Sequence, residues 1–232
     1  ARLETPGWTT AGFSDGHWSG VTLANQSKEI PIAPAGPPVR RIDEIKPVKI
    51  FKTPAGETVV DFGQNLVGWV RLKVEGTSGT TVTIRHAEVL DNTGNFYTAN
   101  LRAAKATMRY TLKGGAAEVF EPHFTFFGFR YAAIDGYPGA LTPESVTGVV
   151  VHSDMARTGE FEASSQLINQ LQRNIIWGQK GNFLDVPTDC PQRDERLGWT
   201  GDAQVFARTA AFNMGVAGFS TKWLQDLAAD QY

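Results

Sequence analysis

The informative stretch of this chain runs Asp185-Val186-Pro187-Thr188-Asp189-Cys190-Pro191-Gln192-Arg193-Asp194-Glu195-Arg196-Leu197-Gly198-Trp199-Thr200-Gly201-Asp202. It holds five acids (Asp185, Asp189, Asp194, Glu195 and Asp202) and two bases (Arg193 and Arg196), a local net charge of −3 against −2 for the whole chain. Pro187 and Pro191 stiffen the segment, while Gly198 and Gly201 let the backbone turn beside Trp199. Carboxylates packed this closely are costly to bury, because like charges resist ionising together. A chain keeps such a cluster more readily where it does chemistry.

Four uses of the cluster can be weighed on residue types alone. Glycoside hydrolysis needs a protonated carboxyl to feed the leaving oxygen and a second carboxylate opposite it. Neighbouring negative charge and an apolar wall, here Trp199, would raise an acid's pKa and keep it protonated, with Arg193 or Arg196 orienting the other acids. A plainer use is an Arg–carboxylate network that pins a loop between two helices. A metal site would draw on Asp189, Cys190, Asp194 and Asp202, but these mix hard and soft ligands without a zinc spacing and have no nearby His, so no metal is expected. Cys190 as a nucleophile lacks a His base in the segment and reads as a small inert thiol.

The elements that must position this loop follow from periodicity. Before it, Leu167, Ile168, Leu171, Ile175 and Ile176 recur at helical spacing behind a Ser164 cap, with Gly178 and Gly181 ending the helix. After it, Ala203 to Met214 reads as a second helix with Phe206 and Phe212 inward. Gly215 breaks it, and Val216 to Asp230 reads as a third helix with Phe219, Trp223, Leu224 and Leu227 on one stripe. Upstream the period drops to two. Val70, Leu72 and Val74 alternate with Arg71 and Lys73, and Val82 and Ile84 alternate with Thr83 and Arg85. Gly76-Thr77-Ser78-Gly79 between them reads as a hairpin turn, and Asp91-Asn92-Thr93-Gly94-Asn95 as another turn. Thr107 to Leu112, Phe124 to Ile134 and Val146 to Val151 supply further strands, and this many short strands suggest a two-sheet sandwich over residues 41–155. Residues 1–40, with Trp8, Phe13 and Trp18 and then the proline-rich run from Ile30 to Pro38, read as the end of a preceding β module and a linker. Residues 156–232 form the helical part.

Composition excludes several classes. Hydrophobic residues are 41% and charged residues 20%, so disorder is not expected. A pI near 6.1 with no basic run argues against a nucleic-acid partner. No apolar run approaches the roughly 20 residues of a membrane span, so no membrane partner is expected. The single cysteine, Cys190, forbids an internal disulfide. The chain opens Ala1-Arg2-Leu3-Glu4 without an initiator Met, which reads as trimming from something longer. Compartment therefore stays open between bacterial cytoplasm and secretion. The abundance of Trp and Phe fits sandwich cores first and sugar stacking second.

The segment Asp189 to Asp202 strongly resembles the signature of the bacterial α-L-rhamnosidases, glycoside hydrolase family 78. Upstream, Asp61-Phe62-Gly63-Gln64-Asn65-Leu66-Val67-Gly68-Trp69, Arg85-His86-Ala87-Glu88, Phe120 to Thr125 and Gly128-Phe129-Arg130-Tyr131 are similar to the β-sandwich that precedes the catalytic barrel in that family. The resemblance implies a mixed, multidomain fold: an antiparallel β-sandwich followed by the first helices of an (α/α)6 six-hairpin barrel. It implies an inverting α-L-rhamnosidase acting on a rhamnose-containing glycoside, with no cofactor. Glu195 aligns with the general acid. Asp189 and Asp202 align with acids that hold the sugar hydroxyls, Trp199 with an aromatic of the sugar subsite, and Arg193 and Asp194 with assisting groups. The general base of the family lies far downstream, so no residue here takes that role, and these 232 residues alone are expected to be inactive. A homo-oligomeric parent enzyme is compatible with the sequence. A non-catalytic sugar-binding sandwich with a helical appendage is the rival reading. The same sandwich residues, Asp61, Gln64, Asn65, Trp69, His86 and His123, are expected to serve turns and packing against the barrel rather than a lectin site.

Overall fold

The computed structural model describes residues 1–27 and 31–231, so Ile30, the first residue of the proline-rich run, lies outside the described residues. Residues 1–27 form turns without a regular element, and Trp8, Phe13 and Trp18 cluster there, with the Phe13 and Trp18 rings 5.4 Å apart.

Eight antiparallel strands follow: β1 Val39–Ile45, β2 Lys49–Lys52, β3 Thr58–Val74, β4 Thr81–Ala87, β5 Thr107–Thr111, β6 Glu118–Phe120, β7 Phe127–Asp135 and β8 Val146–Ser153. They make one hydrogen-bonded sheet that curls into two layers through the long strand β3. The first half of β3 pairs with β2 and β7, and β7 leads on to β4 and β5. The second half pairs with β8 and β6, and β8 leads on to β1. The register slips between Asp61 and Leu66, where Gly63 takes φ +73 and its N–H donates to Asp61 Oδ1 at 2.7 Å. An extra stretch of this kind sharpens the local bend, which lets one strand serve both layers.

Side chains from both layers close the core. Phe62, Leu66, Val70, Leu72, Val82, Ile84, Phe129 and Val150 are buried together, and Phe62 meets Phe129 edge to face at 5.6 Å. Val70, Leu72 and Val74 are buried while Lys73 is exposed, as their alternation requires. The Gly76–Gly79 turn is not a hairpin. β3 ends in one layer and β4 lies in the other, so the turn carries the chain across the core.

Three helices pack beside the sandwich: α1 Gln166–Asn182, α2 Thr200–Asn213 and α3 Ala217–Ala229. α1 lies against β3 and β8. Gly181 permits this, since a Cβ there would stand 3.0 Å from Val67 Cγ2; it is the penultimate residue of the helix, whereas Gly178 lies within it rather than ending it. The cap also differs from expectation. Ser165 occupies the N-cap without a side-chain bond, and Asn169 instead reaches back to the Ala163 N–H and carbonyl, both at 2.8 Å. A second core joins Met155, Ile176, Phe183, Ala210, Met214 and Phe219, with Phe183 and Phe219 stacked at 4.6 Å. Gln179 and Asn213 bond to each other at 3.1 Å between α1 and α2. Leu167 (80% exposed), Ile168, Leu171 and Phe212 (68% exposed) stand outside both cores, so Phe212 does not point inward.

Candidate active site

The acid loop lies between α1 and α2 and leans on the sandwich. Two short strands, β9 Phe183–Leu184 and β10 Val186–Pro187, form its entry, with Asp185 at the tip in a left-handed conformation (φ +68). The Asp185 N–H donates to Ser153 Oγ at 2.9 Å, and Lys222 of α3 donates to the Asp185 carboxylate at 3.0 Å. Thr188 is buried and donates its N–H to the Asn182 carbonyl at 2.8 Å. Asp189 then takes φ +59, in the left-handed region that residues with a side chain seldom adopt. Residues 190–195 fold into a turn closed by a bridge between Cys190 and Glu195. Trp199 caps the way into α2, its backbone N–H donating to Pro187 and its indole N–H to the Glu195 carbonyl at 2.7 Å.

This path brings Asp189, Cys190 and Glu195 together, with one ligand-type atom from each within 4.8 Å of the others. Arg193 threads the group: its Nη2 lies 2.5 Å from Glu195 Oε2 and 3.1 Å from Cys190 Sγ. Arg102, from the sandwich, lies 3.3 Å from Glu195 Oε2. Burial pushes the Glu195 carboxyl up, but the Cys190 thiol, Arg193 and Arg102 outweigh it and hold the pKa below the usual range. The sequence-based expectation that crowded negative charge would raise it therefore fails. In the sequence the acids are near one another; in space guanidinium groups are nearer. The thiol goes the other way: burial first and the Asp189 carboxylate next push Cys190 up to about 11. A protonated thiol beside a guanidinium is a poor nucleophile and a poor soft ligand.

Asp189 also lines a cavity of about 630 Å³ together with Asp202, Gly201, Ile175, Phe183 and Phe206. Its size suits one or two sugar rings, and it pairs apolar wall with carboxylates, as ligand sites do. Asp202 sits in the first turn of α2, where the helix N-terminus favours a negative charge. Trp199 is 39% exposed and touches Glu195 through its indole N–H rather than walling off the carboxyl. Asp194 faces elsewhere, into a smaller cleft of about 270 Å³ against Ala104, Thr125 and Phe127 of the sandwich. So the structure gathers Glu195, Asp189 and Arg193, places Asp189 and Asp202 on one cavity that neither Glu195 nor Trp199 lines, and leaves Asp194 apart.

The sandwich grips the loop from behind. The Arg196 guanidinium stacks over the Phe126 ring at 3.9 Å and donates to the Phe126 carbonyl at 3.1 Å. Gly128 lets the loop approach, since a Cβ there would meet Gln192 Cβ at 2.9 Å and its backbone N at 3.0 Å. Gln64, Asn65 and Glu88 line a cleft with Asp189, Pro191 and Gln192, and Asn65 donates to Glu88 at 2.9 Å. Asp61 holds Arg130 through two bonds of 2.8 Å, Trp69 donates to Glu121, and His86 is wholly buried. Asp61 and His86 are thus tied into turn and core packing, while Gln64 and Asn65 line the cleft beside Asp189, and Trp69 and His123 line a separate cavity of about 880 Å³. Arg102 and Phe126 are functional neighbours that sequence reasoning missed. Arg102 lies in no periodic run or charge cluster that would have marked it, and Phe126 is legible only as part of the strand expected over Phe124 to Ile134, not as the partner of Arg196.

Known proteins resemble almost the whole of this chain. Residues 51–152 match the bacterial alpha-L-rhamnosidase concanavalin-like domain, and residues 156–232 match the bacterial alpha-L-rhamnosidase 6 hairpin glycosidase domain. An alpha-L-rhamnosidase of Streptomyces avermitilis is 54% identical over 98% of this chain and 22% of its own length. One from Formosa agariphila is 43% identical over 100% of this chain and 25% of its own. The chain thus spans about a quarter of the length of these curated relatives. Among solved structures, the Streptomyces avermitilis enzyme complexed with L-rhamnose superposes with a TM-score of 0.94 at 52% identity, covering 100% of this chain and 22% of that one. The native Aspergillus terreus enzyme gives 0.93 at 51%, covering 97% of this chain and 26% of that one.

Proposed function

Because this chain belongs to the bacterial α-L-rhamnosidase family, we propose that the full-length protein hydrolyses terminal α-L-rhamnosyl residues from glycosides, with Glu195 as the proton donor. In this reading Glu195 gives its proton to the glycosidic oxygen as the bond to the anomeric carbon breaks. A water, deprotonated by a second carboxylate, attacks the opposite face and inverts the centre. No residue of this chain is assigned that second role. Asp189 and Asp202 hold rhamnose hydroxyls, Trp199 lines the sugar subsite, and Arg193 and Asp194 assist. No cofactor takes part.

The observation that carries the reading is the shared cavity: Asp189 and Asp202 both line it, and an Asp189 carboxylate oxygen also stands within 4.8 Å of one from Glu195. A sugar ring seated there would meet the Asp189 and Asp202 carboxylates as hydroxyl acceptors, with Glu195 reached through its neighbour Asp189 rather than on the cavity wall itself. A donor must hold its proton, and Glu195 beside Arg193 and Arg102 is held toward its ionised form. The proposal therefore includes a displacement: the entering glycoside takes the place of Arg193 beside Glu195. Burial, the leading influence on that carboxyl, then tips it toward its neutral form.

One observation favours a second reading. Arg102, Glu195 and Arg193 form a chain of ion pairs that could simply pin the loop. Glu195→Gln in the full-length protein separates the two. As proton donor, its loss lowers kcat on an alkyl α-L-rhamnoside by about 10²–10⁴-fold and spares KM. A nitrophenyl rhamnoside, whose leaving group scarcely needs a proton, suffers much less. As a structural pin, its loss lowers the melting temperature and slows both substrates alike. Unchanged turnover of the alkyl glycoside would overturn the proposal.

A further inference from the structure

Arg102 is an odd residue for its place. It follows the 3-10 turn Ala99–Leu101 with φ +55 and ψ −121, a conformation that glycine adopts freely and side-chain-bearing residues resist. The turn around it is fixed. Leu101 is 1% exposed, its N–H donates to the Thr98 carbonyl at 3.0 Å, and the Ala104 N–H returns to Leu101 at 3.0 Å. Burial does not explain the arginine, because its side chain is 54% exposed. Among the described residues its one ion-pair partner is Glu195, at 3.3 Å. The other groups facing the Glu195 carboxyl, the Arg193 guanidinium, the Cys190 thiol and the Asp189 carboxyl, all belong to the acid loop itself. Arg102 is the charged group that the sandwich sends across to it.

We propose that Arg102 is a positioning residue of the rhamnosidase site: from a strained turn of the β-sandwich it holds the Glu195 carboxyl in place. This rests on the proton-donor reading above. Strain kept at a position where glycine would relax it fits a side chain retained for what it reaches rather than for what it packs. The sandwich thereby sets the pH at which the donor loses its proton, and the helical part does not act alone.

The test is the pH dependence of kcat/KM for an alkyl α-L-rhamnoside, measured on the full-length protein and its Arg102→Gly and Arg102→Lys variants. A guanidinium beside a carboxyl stabilises the carboxylate, so its removal lets the proton persist to higher pH. Arg102→Gly moves the alkaline limb to higher pH, while its melting temperature equals or exceeds that of the parent because the backbone relaxes. Arg102→Lys, which keeps a charge at the same point, brings the limb back toward its original position. An alkaline limb that stays in place in Arg102→Gly overturns the inference, as does a lysine variant that behaves like the glycine one. Glu195→Gln run in parallel separates the two levels. If that variant keeps full activity on the alkyl glycoside, the donor reading itself fails. If it loses activity while the Arg102→Gly limb is unmoved, only the role of Arg102 fails.

Discussion

His86 should make the sandwich fragile to acid in a way that can be measured. Its ring is fully buried on β4, stacked on Phe127 at 4.1 Å and edge-on to Phe129 at 4.8 Å. Nδ1 lies 2.8 Å from the Ala106 carbonyl, so that nitrogen carries the proton and donates, while buried Nε2 has no partner. Protonating Nε2 would put an unpaired charge in the core, and burial accordingly lowers the pKa from 6.5 to about 4, against a small opposing pull from Ala106. The folded-state value lies below the unfolded one, so between pH 6.5 and about 4 the unfolded chain binds more protons. Stability is complete above 6.5 and falls as the pH drops toward about 4. At 1.36 kcal/mol per pH unit, that gap corresponds to about 3 kcal/mol, a large part of the roughly 5–15 kcal/mol that holds a domain together. His86→Phe keeps the stack and removes the titration, and the Ala106 carbonyl keeps its bond from the His86 position's backbone N–H at 3.0 Å. Urea unfolding of the two proteins at pH 7.5 and pH 4.5 gives the answer as a difference, which cancels the titration of the carboxylates. The stability of the parent relative to the Phe variant should fall by about 2–3 kcal/mol between the two pH values. A difference that stays flat would show that the ring is hydrated or differently bonded, and the account of this core would fail.

Two further outcomes concern the hold of the sandwich on the loop. Arg196→Lys keeps the charge but loses the flat face over Phe126 and the directed bond to its carbonyl, and should cost about 1–3 kcal/mol in unfolding free energy, with a rise in KM for the full-length protein. Gly128→Ala places a methyl within 3.0 Å of the Gln192 backbone, so the loop must move; kcat/KM should fall at least tenfold while the melting temperature drops only slightly, a split read by pairing kinetics with calorimetry.

What the sequence disclosed depended on the range over which each feature is decided. The alternation of Val70, Leu72 and Val74 is a local rule, and those residues are buried as it demands. The first half of β3 escaped it, because Gly63 and the register slip break the period between Phe62 and Leu66. The Gly76–Gly79 turn has hairpin chemistry, yet which strands a turn joins is settled by pairing partners distant in the chain. The helical stripe Leu167, Ile168, Leu171 was legible as apolar, but periodicity cannot say what covers a face, and here it stands exposed. The acid loop was plain from residue types. Its electrostatics were not, because adjacency in sequence counted Asp189, Asp194 and Asp202 near Glu195, whereas the fold turns Asp194 away and brings in Arg102 from the other domain.

That last mismatch bears on why the sandwich and the helices stay together in this family. Residues 188–198 contain no helix or paired strand beyond one bridge, so their own backbone bonds do little to fix side-chain directions to the few tenths of an ångström that proton transfer demands. The missing rigidity comes from outside: Phe126 beneath Arg196, Gly128 against Gln192, and the Arg102 turn beside Glu195 all stand on the sandwich. Gly128 is held by strand pairing within β7, Phe126 directly precedes that strand, and Arg102 follows the buried Leu101. A loop that must carry charge cannot also carry a hydrophobic core, and it therefore draws its order from a neighbouring one. On this argument a substitution that loosens the sandwich far from the cavity should degrade turnover before it unfolds the protein.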